Sequence, residues 1–173
     1  KGAQVFRFEA QVFGEGDDSL ATVAVGGLIQ RRRTLATAEI GTGGVLMSWL
    51  SDVGGAAECL AGGHVLPDAG GISRAFGVDD GIDGEGNSES TARVLATVCR
   101  DHYGVDYALS VAECPDYDPD DPEADVPTTW VACAGPGGVE TKSLTLLGDV
   151  SFTRSRSAKT ALDLLRRMLS ADG

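Results

Sequence analysis

The sequence is poor in positive charge: 14 lysines and arginines stand against 26 aspartates and glutamates, a formal charge of −12 over 173 residues. A field of that sign repels the phosphates of nucleic acids and anionic lipid surfaces, so neither is an expected partner. Any apolar run near the ~20 residues that span a bilayer is also missing, and no membrane span is expected. Cys59, Cys99, Cys114 and Cys133 lie far apart, no Cys-x-x-Cys pair occurs, and only His64 and His102 are at hand to complete a metal set. That pattern disfavours zinc and predicts four reduced thiols, mostly in a core, with no metal and no cofactor. The chain opens without the basic-then-apolar layout of a signal peptide, which makes the cytoplasm the expected compartment.

What is present suits one globular domain: 42% hydrophobic and 23% charged residues, on a chain long enough for one sizeable core and short for two. Residues 1–16, KGAQVFRFEAQVFGEG, alternate apolar and polar in part before a Gly-Glu-Gly break, and read as a lead-in or linker remnant to a domain over residues 17–173. Asp17, Asp18 and Ser19 form a helix cap cluster, after which Leu20, Val23, Ala24, Gly27 and Leu28 recur at helical spacing. Arg31, Arg32 and Arg33 end that helix where cations suit its dipole. A short strand ending near Glu39, a glycine loop and a helix over 43–52 follow as one strand-turn-helix unit.

AECLAGGHVL at 57–66 reads as a second strand, with Gly62 and Gly63 marking a close backbone approach. Residues 68–86 hold too many glycines for a helix and predict one weak turn followed by loop. Ser88 caps a helix running to Tyr103, with Leu95, Val98, Cys99 and His102 on its packed face. A buried strand at 107–113 leads into CPDYDPDDPEADVP. Two strands then flank GPGG at 135–138, a hairpin signal, and a last helix carries Ala158, Ala161, Leu162, Leu165, Met168 and Leu169 on one stripe. This order predicts an α/β domain: a three-layer α/β/α sandwich around a mixed sheet of about five strands.

The chemistry is expected in TLATAEIGTGGVLMSWL, residues 34–50, because a glycine loop between strand and helix brings ligands against backbone N–H groups. Thr42, Gly43 and Gly44, with Gly62 and Gly63, are the candidate ligand-binding residues. Ile40 and Gly41 stand where a reactive side chain would be sought. A second acidic candidate is the run Asp116, Asp118, Asp120, Asp121, Glu123 and Asp125, whose oxygens suit a hard cation. It lacks the sharp-turn glycine and closing glutamate of an EF-hand, and a solvated acidic loop is the favoured reading.

Taken in order, QVFGEGDDSL, TLATAE with TGG at 42–44, LSDVGGAAECLAGGHV, SESTARVLA, GVDYALSVAE, AGPGGVETKSLTLLGD and AKTALDLLRRML resemble the C-terminal domain of the CinA, or competence/damage-inducible, family. That resemblance implies a three-layer fold, a homodimer, and hydrolysis of nicotinamide mononucleotide to nicotinate mononucleotide and ammonia. Its signature is Glu-Ser-Cys-Thr-Gly-Gly, with the serine as nucleophile and a tyrosine and a lysine to activate it. On this chain those three positions are held by Ile40, Pro67 and Ile72, and the cysteine position by Gly41. The family's glycine-rich ligand loop corresponds to Ala112, Glu113, Cys114 and Pro115, whose acidic continuation would repel a mononucleotide phosphate. An inactive domain, with at most a weak mononucleotide or phosphate ligand, is therefore expected. The alternatives are a relocated nucleophile, Thr42 or else Cys59 or Cys114 paired with His64, and a metal-binding or assembly module built on the acidic loop.

Overall fold

The computed structural model describes residues 19–78, 86–115, 125–145 and 148–172. Its elements run α1 (Leu20–Arg31), β1 (Leu35–Glu39), α2 (Val45–Ser51), a single 3₁₀ turn (Ala56–Glu58), β2 (Leu60–Val65), α3 (Gly70–Phe76), α4 (Glu89–Tyr103), β3 (Tyr107–Val111), β4 (Thr128–Gly135), β5 (Gly138–Thr145) and α5 (Val150–Ala171). The five strands form one mixed sheet in the order β2-β1-β3-β4-β5. β2, β1 and β3 run parallel, and β4 and β5 are antiparallel additions joined through Pro136 and Gly137.

Side-chain size alternates along the strands and sorts the layers. Leu35, Tyr107, Leu109, Val111, Val131 and Cys133 face one core with α1, α2 and α5. Ala36, Ala38, Ala108, Ala112, Ala132 and Ala134 face the other, where α4 lies across the sheet. A surface of alanines lets that helix sit close, and the Ser110 hydroxyl donates to the Ala92 carbonyl at 2.6 Å across the contact.

The cap readings hold at α1 and α4: the Ser19 and Ser88 hydroxyls accept from the N–H groups of Thr22 and Thr91. Three expectations need correction. Residues 70–76 are a helix, α3, despite Gly70 and Gly71, because Ile72 is buried against the sheet and overrides the weak propensity. β2 starts at Leu60, since the residues before it close a 3₁₀ turn. His102 is exposed at the end of α4, where only Leu95 and Cys99 of the anticipated stripe are fully buried.

Candidate functional site

In an open sheet with parallel strands, ligands gather where the order of strands reverses, beyond the carboxyl ends. β1 is followed in sequence by β2 on one side and flanked by β3 on the other, so that point lies between the ends of β1 and β3. The residues there are Ile40 to Gly44 and Ala112 to Cys114, the segments singled out from the sequence.

Glu39 organises the loop. It is fully buried, and both carboxylate oxygens are occupied. Oε2 accepts from the Thr42 hydroxyl at 2.5 Å and from the Leu46 N–H at 2.9 Å; Oε1 accepts from the Met47 N–H at 2.8 Å. A helix begins with unpaired N–H groups and a partial positive charge. Glu39 supplies the acceptors for α2 internally, across the turn made by Gly43 (φ 63°) and Gly44 (φ 96°). Thr42 is buried with its hydroxyl hydrogen-bonded to Glu39, which makes it a brace of the loop. Sequence reasoning missed this role; the signal was an acid at the end of a strand with a threonine three residues on, before an uncapped helix.

Ile40 and Gly41 have the opposite surroundings. Ile40 is 7% exposed and Ile72 fully buried, and both belong to one apolar cluster with Leu66. Pro67 is exposed, beside Gly71 at the turn into α3. Two of the three positions that the resemblance marks as catalytic thus belong to one buried hydrocarbon cluster. Beyond the last strand residues the backbone keeps pairing: the Ile40 N–H donates to Val111 O at 3.0 Å and the Gly41 N–H to Ala112 O at 3.1 Å. A Cβ on residue 41 would fall on the Cys114 sulfur, 2.6 Å from Ala112 O and 2.9 Å from Cys114 N. β1 and β3 are zipped together at this point, and only glycine fits between them.

Around that seam lie Cys114, Thr129, Arg154 and Ser157. Burial pushes the Cys114 thiol above its ordinary value; the Ser157 and Thr129 hydroxyls and the Arg154 guanidinium oppose the shift, and Glu113 adds to it. The sulfur is therefore a neutral thiol near pH 7. The Arg154 guanidinium lies over Gly43, with its carbon 3.4 Å from where a Cβ there would stand. The Thr129 hydroxyl donates to Glu113 O at 2.7 Å and holds the β3 exit against β4.

Other candidates lie elsewhere. Gly62 and Gly63 stand within β2 opposite Ala36 and Thr37; a Cβ on Gly62 would meet the Tyr103 ring at 2.8 Å, and one on Gly63 would meet Met47 at 2.7 Å. Their bareness serves packing at the sheet edge, against Tyr103 for Gly62 and against Thr37 and Met47 for Gly63. Cys59 is buried in the core cluster that includes α1 and α5, its thiol directed to Ala56 O, while the His64 ring packs tilted against Phe76 and edge-on against His102 and Tyr103. Neither Cys59 nor Cys114 shares the surroundings of His64. Of the acidic run, Asp116, Asp118, Asp120, Asp121 and Glu123 fall outside the described residues. Among the described residues, no group of three or more histidine, cysteine, aspartate or glutamate side chains is placed to hold a metal, and no helix is long and apolar enough to cross a membrane.

With this geometry in view, comparison with known proteins is decisive for kinship. The profile described as the CinA C-terminal domain matches residues 17–169. The chain belongs to the CinA C-terminal domain family. It is 40% identical over 163 residues to a CinA-like protein of Frankia casuarinae, covering 93% of this chain and 37% of that protein. It is 37% identical over 164 residues to a putative competence-damage inducible protein of Levilactobacillus brevis, covering 91% and 39%. The chain thus spans about two fifths of these relatives. Among solved structures, a CinA superfamily protein from Klebsiella pneumoniae superposes with a TM-score of 0.77 at 25% identity, covering 88% of this chain and 96% of that one.

Proposed function

We propose that this CinA-family domain has lost amide hydrolysis and persists as a binding or assembly module. The observation that carries the reading is the seam: Ile40 sits in a buried apolar cluster with Ile72 and Leu66, and the backbones of residues 41 and 112 approach too closely for any side chain at 41. Opening an amide by covalent catalysis needs a nucleophile, a base within reach of its proton, and room for the carbonyl. Ile40, Pro67 and Ile72 can neither attack nor relay a proton. Thr42 is fully buried and hydrogen-bonded to a carboxylate that is itself committed to the N–H groups of Leu46 and Met47, so its hydroxyl is not presented to a substrate, and Cys114 is a neutral thiol packed on Gly41.

A weak anion affinity remains compatible with this reading. The Leu46 and Met47 N–H groups of α2 already have Glu39 as their acceptor, and the Arg154 guanidinium above Gly43 is a cation placed to meet a phosphate. An affinity no tighter than about millimolar, roughly −4 kcal/mol, is expected for nicotinamide mononucleotide or inorganic phosphate. Assembly as a homodimer, expected from the family likeness, is checked by light scattering at high micromolar concentration, where a monomer would count against it.

The test of the central claim is ammonia release from nicotinamide mononucleotide. The purified chain is expected to give none above background. Ile40→Ser alone should give none, and Ile40→Ser with Pro67→Tyr and Ile72→Lys should recover little, because positioning accounts for ~7 to 11 kcal/mol of such barriers and the seam denies it. Turnover by the unmodified chain that disappears on changing Thr42 or Cys114 would overturn the proposal.

A further inference from the structure

Both histidines of the chain meet in one place. His64 on β2 and His102 at the end of α4 contact each other edge-on, with ring centroids 5.4 Å apart. Phe76, the last residue of α3, touches both, at 4.7 Å and 5.4 Å, and Tyr103 touches both at 5.7 Å and 5.1 Å. The Tyr103 hydroxyl lies 3.3 Å from Nδ1 of His64. Three elements, β2, α3 and α4, are thus joined through four rings.

We propose that this ring cluster is a proton-operated latch that holds α3 against β2 and α4. α3 is a poor helix by itself: seven residues, two of them glycine, below the length at which isolated helices persist. Its hold on the domain comes from Ile72, fully buried in the cluster that includes Ile40 and Leu66, with Ala75 and Phe76 packed against that cluster. Phe76 is the residue through which the state of the histidines reaches it.

His64 is half-buried, and among the described residues the ionisable groups facing it are His102 and Tyr103 of α4; Phe76 of α3 and Ala38 of β1, its register partner, carry no charge. Burial raises the Tyr103 hydroxyl above its ordinary value, and Cys99 nearby adds to the shift. Burial first, and His102 second, lower the pKa of His64 below its ordinary 6.5. A folded-state value below the unfolded one means that the contact is at full strength above about pH 6.5 and weakens as the pH falls through the lowered value. Proton uptake therefore favours a state in which the imidazoles are hydrated and apart, which lifts Phe76 and loosens α3. His64 and His102 are the only histidines of the chain, the side chain whose ordinary charge change falls in this pH range.

The test is an NMR titration of the two imidazoles together with amide exchange on the full chain, corrected for intrinsic rates. Between pH 7.5 and 5.5 the protection of α3 is expected to fall several-fold while that of β3 holds, with His64 titrating below 6.5. In His64→Phe, which keeps a ring in the cluster, that fall should vanish. In His102→Gln, the titration of His64 and the loosening of α3 should move to higher pH together. Equal protection of α3 at both pH values, or the same fall in His64→Phe, would overturn the latch.

Discussion

Within one six-residue loop, Glu39, Thr42, Gly43 and Gly44 live by different rules from Ile40 and Gly41. The first set is fixed by backbone requirements. A carboxylate meets the N–H groups of α2, a hydroxyl braces that carboxylate, and two glycines make a turn with positive φ. The second set faces the seam between β1 and β3, where only packing matters. Ile40 fits a hydrocarbon cluster, and Gly41 leaves room for a thiol and a carbonyl. The difference teaches that a scaffold and the chemistry mounted on it can part company within two residues. The scaffold residues answer to obligatory hydrogen bonds present in every folded copy, whereas the reactive positions answer to a substrate only if there is one.

The largest expected effect comes from closing the gap at Gly41. Gly41→Ala places a Cβ against Ala112 O and Cys114 N, which are backbone and cannot swing aside. A loss of about 3 kcal/mol in denaturant unfolding is expected, and adding Cys114→Gly should restore less than half of it. A near-neutral Gly41→Ala would mean that the seam opens freely, and would break the contrast.

Next is the scaffold half. Glu39→Gln keeps the shape but replaces one acceptor oxygen with a donor, so either the Leu46 and Thr42 pair or Met47 loses its partner in a buried place. About 2 kcal/mol should be lost by thermal or chemical unfolding. Thr42→Val removes only the brace and should cost about 1 kcal/mol. If both proved neutral, Glu39 would not be the organiser of α2.

The smallest effect is kinetic. Alkylation of Cys114 by iodoacetamide, followed by peptide mass spectrometry, should be slow near pH 7.5 and still rising at pH 9, because burial holds the thiol up and only the thiolate reacts. A rate that levels off below pH 8 would show that Arg154 and the two hydroxyls maintain a thiolate, and the seam would then contain a nucleophile after all.

Sequence alone determined the layers. Caps at Ser19 and Ser88, the stripe on α5, the hairpin at 135–138 and the strand-turn-helix unit rest on local rules of hydrogen bonding and periodicity, and each stands in the structure. Sequence also showed that positions 40, 67 and 72 carry no reactive group, since residue type alone excludes proton transfer. Tertiary structure alone decided what those positions do instead. That α3 exists, that Ile40 and Ile72 share a cluster, that Gly62 and Gly63 pack the sheet edge, that Cys114 fills the space at Gly41 and that both histidines meet are all contacts between residues distant in sequence. Local propensity and spacing are silent about such contacts, because they become favourable only once the sheet has brought its neighbours within van der Waals reach.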